Sequence, residues 1–215
     1  MICIMEHWTE YTRFFIALFV ILNPFAVVPI FLALTKTYDN AERGRVANIS
    51  AVTVLLVLVL TALSGETLLQ TMGASLASFR VGGGIVLLLM ALAMLSGQTS
   101  SVRTTPEEEA EAEDRNAIAV VPLAIPLMAG PGSISSAIIQ MQRSDTEYHS
   151  LLVIITIVLV CLLLWLVLRM ASLIGKNLGQ IGLNIINRLF GLILAAIAVE
   201  IMANGLRELF PALAG

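Results

Sequence analysis

The sequence predicts an all-α integral membrane protein of six transmembrane helices. They form two inverted three-helix repeats, with helices 1 and 4 broken at Pro-x4-Pro. Three observations carry this. The 215 residues are 58% hydrophobic and 13% charged, with a mean hydropathy of +0.94, whereas soluble chains need roughly 25% charged residues. The few charges leave six long gaps, and similar proline and glycine punctuation recurs in both halves. A net charge of −3 offers no basic surface for a nucleic acid. Cys3 and Cys161 make no disulfide framework. His7 and His149 both lie outside the long apolar runs, so no His-based intramembrane catalytic or metal site is expected.

The spans follow in order. Residues 14–35 form the first run free of charge, 46–65 the second and 81–102 the third. The fourth is 116–142, the fifth 150–168, and the sixth lies between Arg188 and Arg207, interrupted only by Glu200. Each approaches the ~20 residues that cross a ~30 Å hydrocarbon core. The first is no cleaved signal, because Glu6 and Glu10 precede it and it exceeds the ~7–15-residue apolar core of such peptides. The chain reads as a single membrane domain over 1–215, with repeats at 14–97 and 117–209. The acidic stretch 98–116 joins them as a solvated linker, and Thr105-Pro106-Glu107-Glu108 has capping-box spacing for a short surface helix.

Lys and Arg set orientation. Lys36, Arg43, Arg45, Arg103, Arg115, Arg169, Lys176 and Arg188 fall on one side; Arg13, Arg80, Arg143 and Arg207 fall on the other. The first group is assigned to the cytoplasm, which leaves both termini periplasmic.

Three spans per half is an odd number, so the second half enters from the opposite membrane face. Arg80, Gly83, Met94 and Gly97 recur as Arg188, Gly191, Met202 and Gly205, 108 residues on. The pair Pro24 and Pro29 recurs as Pro126 and Pro131, 102 residues on. Inverted repeats with interrupted helices at matching places mark secondary transporters. Proline deletes a helix N–H and clashes one turn back, and lipid tolerates freed backbone only against protein or a water-filled cavity. Each proline pair is therefore expected to bracket an unwound stretch. A half-helix starting near Pro131 would present the N–H groups of Gly132, Ser133 and Ile134 to a carboxylate. Gly130 gives the turn its freedom, and Ser133, Ser135 and Ser136 add hydroxyls. Asn23 and the carbonyls around Pro24, Phe25 and Val28 would accept from an ammonium group, with Pro29 and Pro126 framing the site.

Glu200 is the only acid inside a span. An ion there costs ~2.5–3.5 kcal/mol on insertion scales, so it is expected to face a cavity as a proton carrier or to pair with Arg80. Asn204, one turn on, shares its face and is placed on the path. Asn177, Asn184 and Asn187 are expected at the cytoplasmic interface without a ligand role. Gly82-Gly83-Gly84 reads as a close-packing surface.

Leu22-Asn23-Pro24-Phe25, Pro122-Leu123-Ala124-Ile125-Pro126 followed by Ala129-Gly130-Pro131-Gly132-Ser133, and Asn204-Gly205 resemble the MarC family, over about 14–209. The resemblance implies a six-span bacterial inner-membrane protein, distantly similar to LysE-type amino acid exporters. Some members are similar in moving glycine, alanine and related amino acids with a proton gradient. The expected partners are a small zwitterionic amino acid, the proton and membrane lipid; self-association stays open, and no cofactor is expected. Alternatives are an exporter of another small metabolite or drug, and a non-transporting channel or assembly protein. An enzyme is disfavoured, because a serine nucleophile here has no intramembrane base to activate it.

Overall fold

The structure is a computed structural model that describes residues 2–97, 119–143 and 148–214. All regular elements among the described residues are helical. The first half contains α1 (Ile2–Leu22), α2 (Pro24–Leu34), α3 (Asn40–Met72) and α4 (Leu76–Leu95). The second contains a π-helix (Ala119–Met128), α5 (Pro131–Met141), α6 (His149–Arg169) and α7 (Ala171–Leu209), followed by a 3-10 turn at Pro211–Ala214. The linker expected at 98–116 lies outside the described residues.

Among the described residues, five stretches are long and apolar enough to cross a membrane: 9–34, 40–65, 76–95, 149–169 and 171–209. The sequence predicted six. The fourth predicted span instead forms two helices of ten and eleven residues, each too short to cross alone.

The two breaks have distinct causes. The first falls at Asn23, not between Pro24 and Pro29 as expected, and Pro29 lies inside α2. Asn23 takes a left-handed conformation (φ 42°, ψ 62°), which asparagine tolerates better than most residues. Its N–H closes α1 on the Phe19 carbonyl at 3.1 Å, and its Oδ1 accepts from Ala26 N–H at 3.4 Å. Pro24 then opens α2 in the one helical position that needs no N–H. In the second half the chain widens into the π-helix, which contains Pro122 and Pro126 and ends with Ala129 N–H on the Ala124 carbonyl at 2.7 Å. The extended Gly130 (φ −90°, ψ 178°) caps α5, which also starts on proline. Thus α2 and α5 are matching eleven-residue half-helices. Both start on proline, Pro24 and Pro131, which stand 107 positions apart (131 less 24).

The π-helix start is pinned to α3 by Ser50 Oγ, which donates to the Ala119 carbonyl at 2.8 Å. Further along, Gly65 of α3 lets Ile138 of α5 approach, since a Cβ on it would lie 2.5 Å from Ile138 Cγ1.

Helices α4 and α7 run antiparallel in close contact through glycine. A Cβ on Gly84 would collide with Met202 and sit 3.0 Å from the Ala198 carbonyl oxygen. One on Gly191 would reach Met94 Cβ at 2.9 Å, and one on Gly205 the Ala77 carbonyl oxygen at 2.8 Å. Small residues here let the backbones meet, which is the main route to helix association in lipid. One core gathers Leu18, Val54, Leu58, Leu123, Ile157 and Leu164, and another gathers Val20, Ile21, Leu87, Leu194 and Ala198. Outward residues such as Leu56, Leu60, Leu159, Leu162 and Leu192 stay exposed and form a lipid-facing surface.

Gly179 interrupts α7 with φ 60° and ψ −177°, a region essentially confined to glycine. No atom lies within 4 Å of a Cβ there, so any penalty is conformational. Gly179→Ala is expected to lower stability by about 1–3 kcal/mol, read as a lower thermal midpoint in detergent.

Among the described basic residues, Arg13, Arg80 and Arg143 share one end of the bundle, and Arg169 lies against Gly44, beside Arg43, at the other. Arg43 donates to the Thr35 carbonyl at 3.0 Å and to Ser172 at 3.2 Å, joining the α2–α3 and α6–α7 turns. Asp39 and Glu42 exchange hydrogen bonds with each other's N–H groups at 3.0 and 2.7 Å, a reciprocal cap at the start of α3. On the same end Trp165 donates to Asn48 at 2.7 Å and Arg169 lies over its ring.

Candidate functional site

Among the cavities lined by described residues, two hold residues singled out in the sequence. The larger, of about 790 Å³, opens at the end holding Arg13, Arg80 and Arg143. Its walls come from α1 (Arg13, Phe14, Ile16, Ala17), α4 (Arg80), α5 (Ser136, Ile139, Gln140, Arg143) and α7 (Ile197, Glu200, Ile201, Asn204). That volume is typical of a small-molecule site. Four residues singled out in the sequence, Ser136, Glu200, Asn204 and Arg80, meet here. Arg80 makes its ion pair with Glu208, not with Glu200. Glu200 therefore stands in the cavity without an ion-pair partner among the described residues. The mouth is thus a polar, mixed-charge vestibule suited to a ligand carrying both signs.

The smaller chamber, of about 40 Å³, lies where the two breaks meet. Ile21, Leu22, Asn23, Ala26, Val27 and Ile30 line it from the first break, Leu127 from the second, Met90 and Met94 from α4, and Asn187 from α7. Asn23 is 7% exposed and Asn187 6%. Asn23 Nδ2 donates to Asn187 Oδ1 at 2.6 Å and faces Met94 Sδ at 3.7 Å. This corrects the interfacial position expected of Asn187. The polar 175–187 segment hid it, because only the packing of α7 on α4 turns that one asparagine inward. Phe19, Phe25 and Phe190 make edge-to-face contacts beside it, with centroids 5.9–6.3 Å apart.

The other expected site residues divide. Neither cavity is lined by Pro24, Phe25, Pro29, Gly130, Pro131, Gly132 or Ser133. The Ser133 hydroxyl is shared between the Met128 and Gly130 carbonyls at 3.0 and 2.9 Å, turned back on the backbone of the break. Ile134 N–H, expected to be free, bonds the Gly130 carbonyl at 3.1 Å because α5 closes its first turn at once. Gly132 packs under α4, with Leu87 2.6 Å and Met90 Sδ 3.2 Å from its Cβ position. Ser135 faces Gly83 in the same way. Pro126 sits in the π-helix, and its side chain lies outside the described residues.

His149 is a structural residue that the sequence did not single out. It is 1% exposed, and its Nε2 lies 2.8 Å from the Gln140 carbonyl. A carbonyl only accepts, so Nε2 carries the proton and Nδ1 accepts from Tyr11 at 2.8 Å. Gln140 in turn donates to Glu10 at 2.9 Å. The imidazole thus ties α1, α5 and α6 together behind the vestibule wall. His149→Phe takes the partner of the half-buried Tyr11 hydroxyl and one of two donors from the Gln140 carbonyl, which keeps Arg143 N–H at 3.2 Å; the loss, about 1–3 kcal/mol in all, is expected to lower the thermal midpoint in detergent.

The sequence profile of the MarC family integral membrane proteins matches residues 8–210. The chain belongs to the MarC family. Like other MarC proteins it is a multi-pass integral membrane protein, and its relatives are bacterial and archaeal. It is 37% identical over 207 residues to the UPF0056 membrane protein YhcE of Escherichia coli (strain K12), covering 94% of each chain. It is 41% identical over 193 residues to the UPF0056 membrane protein MJ1677 of Methanocaldococcus jannaschii, covering 90% of this chain and 94% of that one. It is 34% identical over 206 residues to PYRAB13050 of Pyrococcus abyssi, another UPF0056 membrane protein, covering 96% of this chain and 98% of that one. No solved structure matches the chain.

Proposed function

We propose that this MarC protein is a secondary transporter of small neutral amino acids, of the glycine, alanine and serine type, driven by the proton gradient. The vestibule carries the proposal: about 790 Å³ of mixed-charge cavity, built by four helices and leading toward two broken ones. Its arginines suit a carboxylate and Glu200 suits an ammonium group or a proton. Between vestibule and chamber lies the apolar layer of Val20, Ile21, Leu87, Leu194 and Ala198, which closes the path in this conformation. Alternating access then consists of opening that layer while the vestibule closes.

In this proposal the π-helix and α5 together make a sixth crossing, and the halves are inverted repeats. The offset of 107 between the half-helix prolines, beside 108 between the third and sixth spans, supports that pairing. So does a reciprocity in the α4–α7 contact. Gly97 lies against the guanidinium of Arg188, and Gly205 lies against Arg80, each pair being the counterpart of the other. The charge count places the Arg13–Arg80–Arg143 end in the periplasm of a bacterial inner membrane. Reporters fused at Gly215 and within 98–116 test this, with a periplasmic C-terminus and a cytoplasmic linker expected.

The deciding experiment is counterflow in proteoliposomes preloaded with glycine, alanine and serine, with labelled alanine outside. Saturable accumulation of label is expected. Exchange of none of the three overturns the substrate assignment, and flux without counterflow indicates a channel.

A further inference from the structure

The chamber at the two breaks holds polar hydrogens that the fold does not use. Asn187 accepts one hydrogen bond from Asn23 through Oδ1, while its own N–H groups have no partner among the described residues and the side chain lines the chamber. The second contact of Asn23 Nδ2 is the Met94 sulfur at 3.7 Å, a weak acceptor. Asn187 is nine-tenths buried, and since no fully buried side-chain nitrogen or oxygen lacks a partner among the described residues, its amide nitrogen keeps some surface open to the chamber it lines. The left-handed backbone of Asn23 adds strain at the same spot, as functional sites often do.

What such a chamber takes follows from its donors and its walls. Two amide groups with spare N–H and no charged side chain call for a hydrogen-bond acceptor, and a carboxylate is the strongest available. Two of the walls, Met90 and Met94, are unbranched and adaptable. Met90 also lies against Gly132 at the start of α5, so this one flexible side chain separates the asparagines from that helix end. The present 40 Å³ holds about three water-sized groups, enough for a carboxylate but not for a whole amino acid.

We propose that the chamber is the inner position of the transport site, where Asn187 and Asn23 bind the substrate carboxylate and Met90 and Met94 limit the size of its side chain. This rests on the transporter reading above and replaces the ammonium role expected of Asn23. The Asn23–Asn187 hydrogen bond holds the chamber shut, and the arriving carboxylate exchanges with it while Met90 swings aside.

The test is counterflow kinetics of labelled alanine with the full chain in proteoliposomes. Asn187→Asp preserves volume and still accepts from Asn23, so the hydrogen bond between the two breaks' helices is kept. As a carboxylate ligand, Asn187 loses its donors and meets the substrate with like charge, and KM is expected to rise at least tenfold. A KM within twofold of wild type overturns the proposal. Met94→Ala enlarges the chamber and serves also where Asn187→Asp yields no folded protein. It is expected to raise valine exchange relative to alanine at least fivefold, and an unchanged ratio overturns the proposal. Wild-type protein that exchanges no amino acid brings down the transporter reading itself. An active wild type with unaffected variants brings down this inference alone.

Discussion

Gly205→Leu is expected to leave little folded protein, while Gly82→Ala, in the glycine run of α4, is expected to be silent. The backbone of α4 runs directly beneath Gly205: a Cβ would lie 2.8 Å from the Ala77 carbonyl oxygen, 2.9 Å from Val81 Cγ2 and 3.0 Å from Arg80 Cβ. Backbone cannot step aside as a flexible side chain can. The remaining leucine carbons would wedge α7 off α4, the largest interhelical contact in the bundle, and displace Arg80 from the vestibule rim. Overpacking typically costs about 1–3 kcal/mol, and a four-carbon side chain at a backbone contact lies at or above the top of that range. For a chain of this size about 3 kcal/mol lowers the thermal midpoint by roughly 6–12 °C. Gly82 has no atom within 4 Å of its Cβ position, and alanine there gains helix propensity of ~1 kcal/mol. The check is monodisperse yield and thermal midpoint of both variants in one detergent. Equal behaviour of the two would remove the close-packing account of α4 and α7.

Glu200→Gln is expected to separate exchange from accumulation. Glutamine has the shape of glutamate and keeps its hydrogen-bonding capacity, but it cannot take up and release a proton. Glu200 lines the vestibule beside Asn204 and Ile201, and Arg80, the partner that would have made it structural, is engaged by Glu208. Counterflow of alanine should therefore stay within about twofold of wild type. Accumulation driven by an imposed proton gradient should fall at least tenfold, on the order of 1.4 kcal/mol of lost coupling. Proton-driven uptake at the wild-type level in Glu200→Gln would remove the residue from the coupling step.

Much of the fold was legible because lipid imposes a simple rule on composition. A helix exposed to hydrocarbon must be apolar for about twenty residues, so gaps between charges mark α1 with α2, α3, α4, α6 and the C-terminal half of α7. The fourth span was expected to unwind between Pro126 and Pro131, and proline gives no indication of how a chain will absorb its missing N–H. In α2 the chain breaks one residue before Pro24 and carries Pro29 within the helix; over 119–128 it widens to a π-helix instead. The site was legible in parts. Asn23, Ser136, Glu200, Asn204 and Arg80 line cavities. Ser133 resembled a ligand by its position after Pro131, but its hydroxyl is taken by the Met128 and Gly130 carbonyls beside the same break. Asn187 and His149 resembled interfacial polar residues, since nothing in a linear segment reveals which way a side chain turns.

The sequence by itself determined that this chain lives in a membrane, where its helices run, which ends carry the basic residues, and that its first and fourth apolar runs are interrupted. Each of these depends on the local cost of placing charge or unpaired backbone in hydrocarbon, which residue type and spacing settle. Tertiary structure alone decided that the two interruptions meet at one chamber, that Asn187 closes it against Asn23, and that three arginines and Glu200 share a vestibule. Those depend on which helix faces touch. That choice is made by glycine contacts such as Gly84 on Met202 and Gly205 on Ala77, between residues more than a hundred positions apart in the chain.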